Sequence, residues 1–203
     1  MASSKNRPCA LGERERELWY YFKYIAGVDE AGRGALAGPV YSGAVILPPF
    51  SSIPVNDSKL LTPREREELF EIIKKESLCW SFGYATVEEI EKFGILQATF
   101  LAMKRAVEGL EIKPEYLLID GNIPIPDIDI PQETVVKGDR RCLSIASASI
   151  VAKVLRDKYM KELDKEYPEY GFGKHKGYAT KEHREKIKDL GTLVIHRKGF
   201  KLL

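Results

Sequence analysis

The chain has 203 residues, of which 44% are hydrophobic and 31% are charged, and its formal net charge is +2. This length and apolar content suffice for one well-buried α/β domain with a small helical appendage. No apolar run is long enough to span a bilayer and the N-terminus lacks the apolar core of a signal peptide, so we expect a cytoplasmic protein. The spacing of Cys9, Cys79 and Cys142 predicts neither a disulfide framework nor a zinc ribbon.

The first predicted elements are a short amphipathic helix and two strands. The helix falls in residues 13–24, and we expect its charged run to be a solvated face. The strands cover Tyr24–Asp29 and Val40–Leu47. A loop rich in Pro and Ser follows, and Thr62 with Glu65 forms a capping box that predicts the start of a helix.

The second half of the chain predicts further alternation of strands and helices. A strand and two helices are expected over residues 79–86, 87–94 and 95–109. The apolar run YLLID is too short for a helix and predicts a buried strand that ends on Asp120, and ETVVKGD repeats that form up to Asp139. Residues 142–167 predict a long helix that begins with small residues, and we expect Arg156 and Asp157 to belong to its structural end.

Acidic residues stand at the ends of three of these predicted strands. They are Asp29 with Glu30, Asp120, and Asp139. A single Asp at a strand end is usually a cap or a turn former, but acids from several strand ends can converge at one edge of an α/β sheet. Four carboxylates can hold two magnesium ions, an arrangement suited to phosphodiester cleavage. Neighbouring strand residues point to opposite faces, so we expect the strand to begin turning at Glu30.

A glycine-rich turn follows the first pair of acids. Gly32, Gly34 and Ala37 match a variant of the G-x-G-x-x-A dinucleotide fingerprint. That motif needs a helix N-terminus to receive a pyrophosphate, whereas Gly38 and Pro39 stop a helix and the next residues predict a strand. We therefore favour the interpretation that these glycines let a ligand approach the main chain closely.

Positive charge is concentrated at the C-terminal end. Residues 174–203 contain nine Lys or Arg and three acids, a local excess of +6. This excess suits a polyanionic partner, and a solvated helix face is the alternative. His175 and His183 are eight residues apart, the wrong spacing for a helical zinc pair, so we expect phosphate or solvent contact for both. His196 receives no role.

Six ordered motifs, from about Tyr20 to the C-terminus, carry a family resemblance. They are D-E-A-G-R-G-x-x-A-G-P-V, N-D-S-K, L-I-D-G-N, V-K-G-D, A-S-I-V-A-K-V-x-R-D and H-K-G-Y-x-T-K-E-H. Together they resemble ribonuclease HII, the type 2 ribonuclease H family. The resemblance implies an α/β ribonuclease H-like fold, with a mixed five-stranded sheet flanked by helices and a C-terminal helical extension. It implies a tail and short helix in residues 1–23, a catalytic domain in 24–167 and a substrate-binding extension in 168–203.

The resemblance also implies an activity and the residues that carry it. The expected enzyme is a metal-dependent endonuclease that hydrolyses RNA in RNA/DNA hybrids and cuts 5′ of single ribonucleotides in duplex DNA, leaving 3′-hydroxyl and 5′-phosphate ends. It would act as a monomer, away from membranes, with two Mg²⁺ or Mn²⁺ ions. The implied catalytic and metal-binding residues are Asp29, Glu30, Asp120 and Asp139. The implied substrate contacts are Gly32, Arg33 and Gly34 at the 2′-hydroxyl, Tyr178 at the adjacent sugar, and Lys59, Lys176 and Lys181 at phosphates.

Two alternatives stay open at this point. Ribonuclease HIII shares the four acids but carries an extra N-terminal domain, and only about twenty residues precede the first predicted strand here. A non-catalytic binder of RNA/DNA hybrids would gain nothing from acids that face phosphates. The chain also departs from the family pattern: Ala35 replaces a common proline, Leu60 a common lysine, and Ala146 with Ser147 inverts a Ser-Ala pair. These departures bear on substrate positioning and leave the acids intact.

Overall fold

The computed structural model describes residues 11–55 and 61–202, so the predicted contacts of Lys59 and Leu60 lie outside the described residues. A five-stranded sheet has the strand order β3-β2-β1-β4-β5. Its strands are β1 Ile25–Ala31, β2 Val40–Ile46, β3 Cys79–Ala85, β4 Tyr116–Asp120 and β5 Gln132–Val135. The pairs β1/β2 and β2/β3 are antiparallel, whereas β1/β4 and β4/β5 are parallel. The predicted mixed sheet is confirmed.

Helices flank this sheet, as predicted. They are α1 Glu13–Leu18, α2 Pro63–Glu76, α3 Val87–Phe93, α4 Ile95–Glu108, α5 Leu143–Glu166, α6 Phe172–His175 and α7 Lys181–Leu190. The capping box of Thr62 and Glu65 begins α2, because the Thr62 hydroxyl accepts from the Glu65 N–H and the Glu65 carboxylate accepts from the Thr62 N–H. Among residues 11–55 and 61–202, no helix combines the length and the apolar character needed to cross a membrane.

Apolar cores cover both faces of the sheet. One core lies between the sheet and α5, with side chains from α1 and α2, and the other lies under α4. Cys142 is buried in the first core and Cys79 in the second, and both are free thiols. Cys9, the third cysteine, lies outside the described residues.

The small residues at the start of α5 let it pack very closely on the sheet. A Cβ atom added at Gly27 of β1 would lie 2.1 Å from the Ser144 carbonyl carbon, and one at Gly43 of β2 would lie 2.3 Å from the Ala148 carbonyl oxygen. Both distances are shorter than a Cβ atom tolerates, so the two strand positions require glycine to let the α5 backbone approach. This contact fixes α5 directly over the end of β1.

The structure corrects the prediction for the N-terminal helix. It ends at Leu18, and its charged run is not wholly solvated, because the Glu15 side chain is fully buried. The Glu15 carboxylate accepts from the N–H and the hydroxyl of Ser144, at 2.9 and 2.8 Å. Burial raises the pKa of Glu15. Glu15 therefore caps the first turn of α5 from another helix.

The predicted strand before Asp139 is present, but its predicted end is wrong. β5 ends at Val135, and Asp139 lies in a 3₁₀ turn over Gly138–Arg140. Lys137 has a φ of 56°, a left-handed conformation that ends the extended backbone before the acid is reached. Asp139 is therefore placed by a turn between β5 and α5.

The C-terminal residues pack against α5 and the turn after β1. Met160 and Leu163 of α5 form a small apolar cluster with Tyr170 and Phe172. Main-chain hydrogen bonds join the Leu36 N–H to the Gly177 carbonyl and the Gly38 N–H to the Ile195 carbonyl. The division into a catalytic domain and an extension at residue 168 stays a prediction.

Candidate active site

Two acids project from neighbouring parallel strands toward α5. The pairing of β1 with β4 aligns Val28 with Ile119, so the next residues, Asp29 and Asp120, lie at the same level of the sheet. Asp29 is only 5% exposed, and its Oδ1 accepts from the Glu30 N–H at 2.6 Å. Ser149 of α5 also hydrogen-bonds its carboxylate. Asp29 is thus held by its own strand and by the helix above it.

Glu30 reaches the same region without the turn that we predicted. β1 continues through Ala31, and Glu30 pairs with Ser42 of β2. The pairing of β1 with β4 ends at Val28, so the last part of β1 has a neighbour on only one side. Glu30 therefore lines the cavity from within a continuous strand.

These acids line a cavity of about 470 Å³. We call it the carboxylate cavity. Its lining residues are Asp29, Glu30, Ala31, Gly32, Arg33, Gly34, Arg66, Asp120, Ser149, Lys153 and Tyr178. Three cationic side chains are therefore present beside the three acids, and Arg33 Nη1 lies 3.8 Å from Glu30 Oε1. Both charge signs occur in one depression, which suits a ligand with phosphate groups and a bound cation.

Asp139 lies beside this cavity and not in its lining. It is 2% exposed, and the N–H of its neighbour Gly138 donates to Asp120 Oδ1 at 2.6 Å. Within residues 11–55 and 61–202, no three His, Cys, Asp or Glu side chains are gathered into a ready-made metal-binding group. The structure brings Asp29, Glu30 and Asp120 to one cavity, and the role of Asp139 stays a prediction.

The electrostatics of the cavity fit a hard cation. Burial raises the pKa of Asp29 well above its ordinary value, and the charges of Glu30 and Asp120 raise it further. Several acidic groups in a poorly solvated place repel one another, and a divalent cation relieves that repulsion. The donors are all carboxylate oxygens, the ligands that Mg²⁺ and Mn²⁺ prefer. The residues present therefore fit such a metal.

The two glycines of the turn serve different needs. Gly32 has a φ of +91°, and a Cβ atom there would lie 1.9 Å from Arg156 Nε, so the fold itself requires glycine. Among the residues that the structure describes, none apart from its chain neighbours has a heavy atom within 4 Å of a Cβ atom added at Gly34, so the space beside this residue is open to a ligand. The chain then enters β2, and no helix follows the turn. The dinucleotide alternative is wrong for this reason.

Tyr178 completes the lining, and α5 holds its ring. The ring centre lies 5.2 Å from the Arg156 guanidinium carbon and 5.4 Å from Lys153 Nζ. Lys153 also donates to Asp157 at 2.7 Å. We did not predict Lys153 or Ser149 as site residues, although their spacing of four places both on one face of the predicted helix.

Comparison with known protein sequences shows the family to which this chain belongs. The profile of the ribonuclease HII family matches residues 26–203. The chain belongs to the ribonuclease HII family. It is 51% identical over 193 residues to ribonuclease HII of Desulfitobacterium hafniense strain Y51, covering 94% of this chain and 74% of the relative. It is 55% identical over 179 residues to ribonuclease HII of Phocaeicola vulgatus, covering 88% and 89%. The predicted resemblance is confirmed, and the chain is an endonuclease of this metal-dependent family.

Solved structures show the same fold. The ribonuclease H2 from Pyrococcus horikoshii OT3 superposes with a TM-score of 0.75 at 27% identity, covering 88% of this chain and 94% of that one. Bst-RNase HIII in complex with Mn²⁺ superposes with a TM-score of 0.70, covering 88% and 67%, at 17% identity, so that likeness speaks for the fold alone. A ribonuclease H-like fold is therefore confirmed.

Two buried arginines, which sequence reasoning did not identify as partners of the site, hold the turn of this ribonuclease HII family member. Arg156 and Arg197 are both fully buried. Their guanidinium groups donate to five main-chain carbonyls, those of Arg33, Ala37, Gly38, Pro39 and Lys176. Burial lowers the pKa of both groups, that of Arg197 to about 9. Arg156 is structural as expected, although it lies within α5 and not at its end.

Two of the predicted phosphate-contacting lysines, Lys176 and Lys181, lie in the described residues, and neither lines the carboxylate cavity. Lys176 is half-buried, its ammonium group donates to the Gly173 carbonyl, and burial lowers its pKa. It lies in a neighbouring cleft with Arg66, which borders both depressions. The Lys181 side chain is 90% exposed and lies 3.7 Å from Glu185. Phosphate contact by either lysine stays a prediction.

The predicted solvent or phosphate contact of His175 and His183 is wrong. Both are buried, and His196 is buried with them. The rings of His175 and His183 stack with their centres 4.2 Å apart, and His183 Nε2 lies 3.2 Å from His196 Nε2. Burial lowers the pKa of all three, that of His183 to about 4. We call these three residues the histidine cluster.

Proposed function

We propose that this enzyme hydrolyses the RNA strand of RNA/DNA hybrids and cuts 5′ of single ribonucleotides embedded in duplex DNA, leaving 3′-hydroxyl and 5′-phosphate ends. The observation that carries the proposal is the carboxylate cavity itself. Acids from two strand ends share it with the open main chain at Gly34 and the ring of Tyr178. A phosphate, a 2′-hydroxyl and a sugar can therefore be met in one place.

We assign the metal ligands to Asp29, Glu30 and Asp120, with Asp139 beside them. Two Mg²⁺ or Mn²⁺ ions would supply an activated water and stabilise charge on the leaving 3′ oxygen. The raised pKa of Asp29 supports this assignment, because burial and the nearby charges of Glu30 and Asp120 both disfavour its charged form, and a divalent cation would favour it. Carboxylate oxygens bind Mg²⁺ and Mn²⁺ alike, so both ions are candidates.

The remaining residues of the cavity bind and orient the substrate. Gly34 leaves room for the 2′-hydroxyl at the main chain, and this hydroxyl is what distinguishes RNA from DNA at one nucleotide. Tyr178 packs on the adjacent sugar. Arg66 and Lys153 line the same cavity and are placed to meet phosphate oxygens. None of these roles requires a protein nucleophile, since the attacking group is water.

We further propose that the protein acts as a monomer in the cytoplasm. One chain supplies every residue that we assign to metal and substrate. Light scattering of the purified protein, alone and with a duplex, tests the monomer, and a stable dimer would contradict it.

The decisive experiment is cleavage of a labelled DNA duplex that contains one ribonucleotide. We expect a single cut 5′ of that ribonucleotide with Mg²⁺ or Mn²⁺, none with a chelator, and none on the matched all-DNA duplex. A long RNA/DNA hybrid is assayed in parallel, and end-labelled ladders identify the termini. Cleavage of the long hybrid alone would contradict the single-ribonucleotide activity, and cleavage with 2′,3′-cyclic ends would contradict the water mechanism.

A further inference from the structure

A directional chain of hydrogen bonds runs through the histidine cluster. His196 Nδ1 accepts from the Leu193 N–H at 2.8 Å, so the proton of the neutral ring is on Nε2. That Nε2–H donates to His183 Nε2 at 3.2 Å, which leaves the His183 proton on Nδ1. His183 Nδ1–H then donates to the Tyr178 carbonyl at 2.9 Å. The main-chain donor at Leu193 thus fixes the tautomer of both rings.

The chain ends on a residue that lines the carboxylate cavity. The Tyr178 carbonyl also accepts from the Thr180 N–H at 2.8 Å, and the Tyr178 N–H donates to the His175 carbonyl at 3.0 Å. The ring meanwhile lies against Arg156 and Lys153 at the cavity. The backbone of Tyr178 is therefore fixed from the C-terminal side, while its side chain faces the carboxylates.

The far end of the chain is attached to the turn after β1. His196 forms a β-bridge with Ala37, and the Arg197 N–H donates to the Leu36 carbonyl at 2.8 Å. The segment around His196 therefore touches both the glycine-rich turn and, through His183, Tyr178. These are the two elements that meet the 2′-hydroxyl and the neighbouring sugar in the proposed function.

We propose that His183 and His196 are positioning residues that set the distance between the Tyr178 ring and the glycine-rich turn. This inference rests on the proposed function, which assigns the sugar contact to Tyr178. Apolar side chains of similar size would keep the packing but leave the Leu193 N–H without an acceptor and the Tyr178 carbonyl with one donor fewer. Neutral histidine is suited to the role because each ring both accepts and donates.

The test is a double-mutant cycle between His183 and Tyr178. We expect His183→Leu to lower kcat/KM on the single-ribonucleotide duplex about tenfold, the value of one hydrogen bond. In the Tyr178→Ala background the same change should cost nothing further. His183→Asn keeps a donor near the Nδ1 position and should recover most of the activity. Equal losses in both backgrounds would overturn the proposal.

Two further variants separate positioning from folding. His196→Asn keeps an acceptor for the Leu193 N–H but is too short to reach His183, so it breaks one link and replaces His183→Leu if that protein fails to fold. Tyr170→Phe removes a hydroxyl bonded to the Gly191 carbonyl at 3.0 Å, in the same part of the molecule, and should leave the kinetics unchanged. A loss with Tyr170→Phe equal to that with His196→Asn would show a merely structural role.

A direct readout distinguishes this proposal from the proposed function. A 3-fluorotyrosine placed at position 178 should change its ¹⁹F shift or linewidth in His196→Asn. An unchanged signal would overturn the positioning role whatever the kinetics show. If the signal moves but Tyr178→Ala impairs both substrates equally, the chain of hydrogen bonds stands and the assignment of Tyr178 to the ribonucleotide junction fails.

Discussion

In the histidine cluster, all six ring nitrogens have a hydrogen-bonding partner within the chain. The carboxylate cavity is equally titratable, but there the carboxylates of Glu30 and Asp120 raise the pKa of Asp29 on top of the effect of burial. The histidines are neutral, and their hydrogen-bonding capacity is fully used within the protein. The acids repel one another, and the hydrogen bonds that Asp29 accepts from Ser149 and the Glu30 N–H do not cancel the rise in its pKa.

This contrast separates a structural network from a binding site. Burial lowers the pKa of the histidines and raises that of Asp29, so both sets resist becoming charged. Only the acids gain by taking up a cation, because imidazoles whose nitrogens are all engaged have no lone pair to offer. A perturbed pKa therefore indicates a cation site only where like charges also lie close enough to repel one another.

The largest expected effect comes from removing one charge from the carboxylate cavity. Asp29→Asn should reduce cleavage of both substrates by about 1,000-fold or more, since the charge stabilisation by the metals is worth several kcal/mol. Without metal, the same variant should be more stable than the wild type by about 1 kcal/mol, because it removes one of the repelling acids. Urea unfolding with a chelator measures this, and a less stable variant would argue against unrelieved repulsion.

The sequence predicted the acids better than their surroundings. Asp29 and Asp120 could be placed because strands ending in acids meet at one sheet edge. Glu30 lines the same cavity although β1 continues past it, which the alternation of side chains along a strand does not predict. The turn that carries Asp139 depends on the left-handed backbone conformation of Lys137. A lysine in the sequence does not predict that conformation.

Buried polar residues were the main failure of sequence reasoning. Solvent exposure or phosphate contact was expected for Glu15, His175 and His183 because their types are usually exposed, and only packing reveals their partners. The partners of Arg156 are main-chain carbonyls, which carry no sequence signal at all.

The second prediction compares the two glycines of the turn. Gly34→Ala should fold normally but lower kcat/KM about 100-fold, because a Cβ atom would fill the open space that the substrate needs. Gly32→Ala should lower thermal stability as well, because of its positive φ and the contact with Arg156. Melting curves and kinetics on the single-ribonucleotide duplex measure both. A stable, fully active Gly34→Ala would remove the main chain of the turn from the substrate contact.

The third prediction uses the opposite shifts of the two regions. The folded pKa of each clustered histidine lies below its usual value near 6.5, so the stability from the neutral histidines is present above about pH 6.5 and is lost as pH falls, for His183 toward about 4. The raised pKa of Asp29 acts oppositely, since its contribution is present at low pH and is lost as pH rises.

Each unmatched proton changes the free energy of unfolding by up to about 1.4 kcal/mol per pH unit. Between about pH 7 and about pH 5, Asp29→Asn should therefore lose more stability than the wild type, and His196→Asn should lose less. Chemical unfolding at a series of pH values, with a chelator present, measures the three slopes. Parallel curves would show that these groups do not titrate differently on folding.

The smallest expected effect concerns the lysines around the site, and it tests how far the substrate extends beyond the carboxylate cavity. Lys176→Ala and Lys181→Ala should each reduce the slope of log affinity against log salt by about 0.9, the value of one phosphate contact on duplex DNA. Lys113 is the matched control. It is exposed and precedes β4, at the end of the strand opposite to Asp120.

The measurement uses fluorescence anisotropy of a labelled duplex between about 50 and 200 mM salt, with all variants in an inactive Asp29→Asn background. The Lys181 side chain is 90% exposed and has only a long ion pair with Glu185, so it can contact a phosphate with little rearrangement. Lys176 must first break its hydrogen bond to the Gly173 carbonyl. We therefore expect the larger loss of affinity for Lys181→Ala even if both slopes change equally. Slopes that match that of Lys113→Ala would confine the duplex to the carboxylate cavity and leave the basic C-terminal surface as a solvated face.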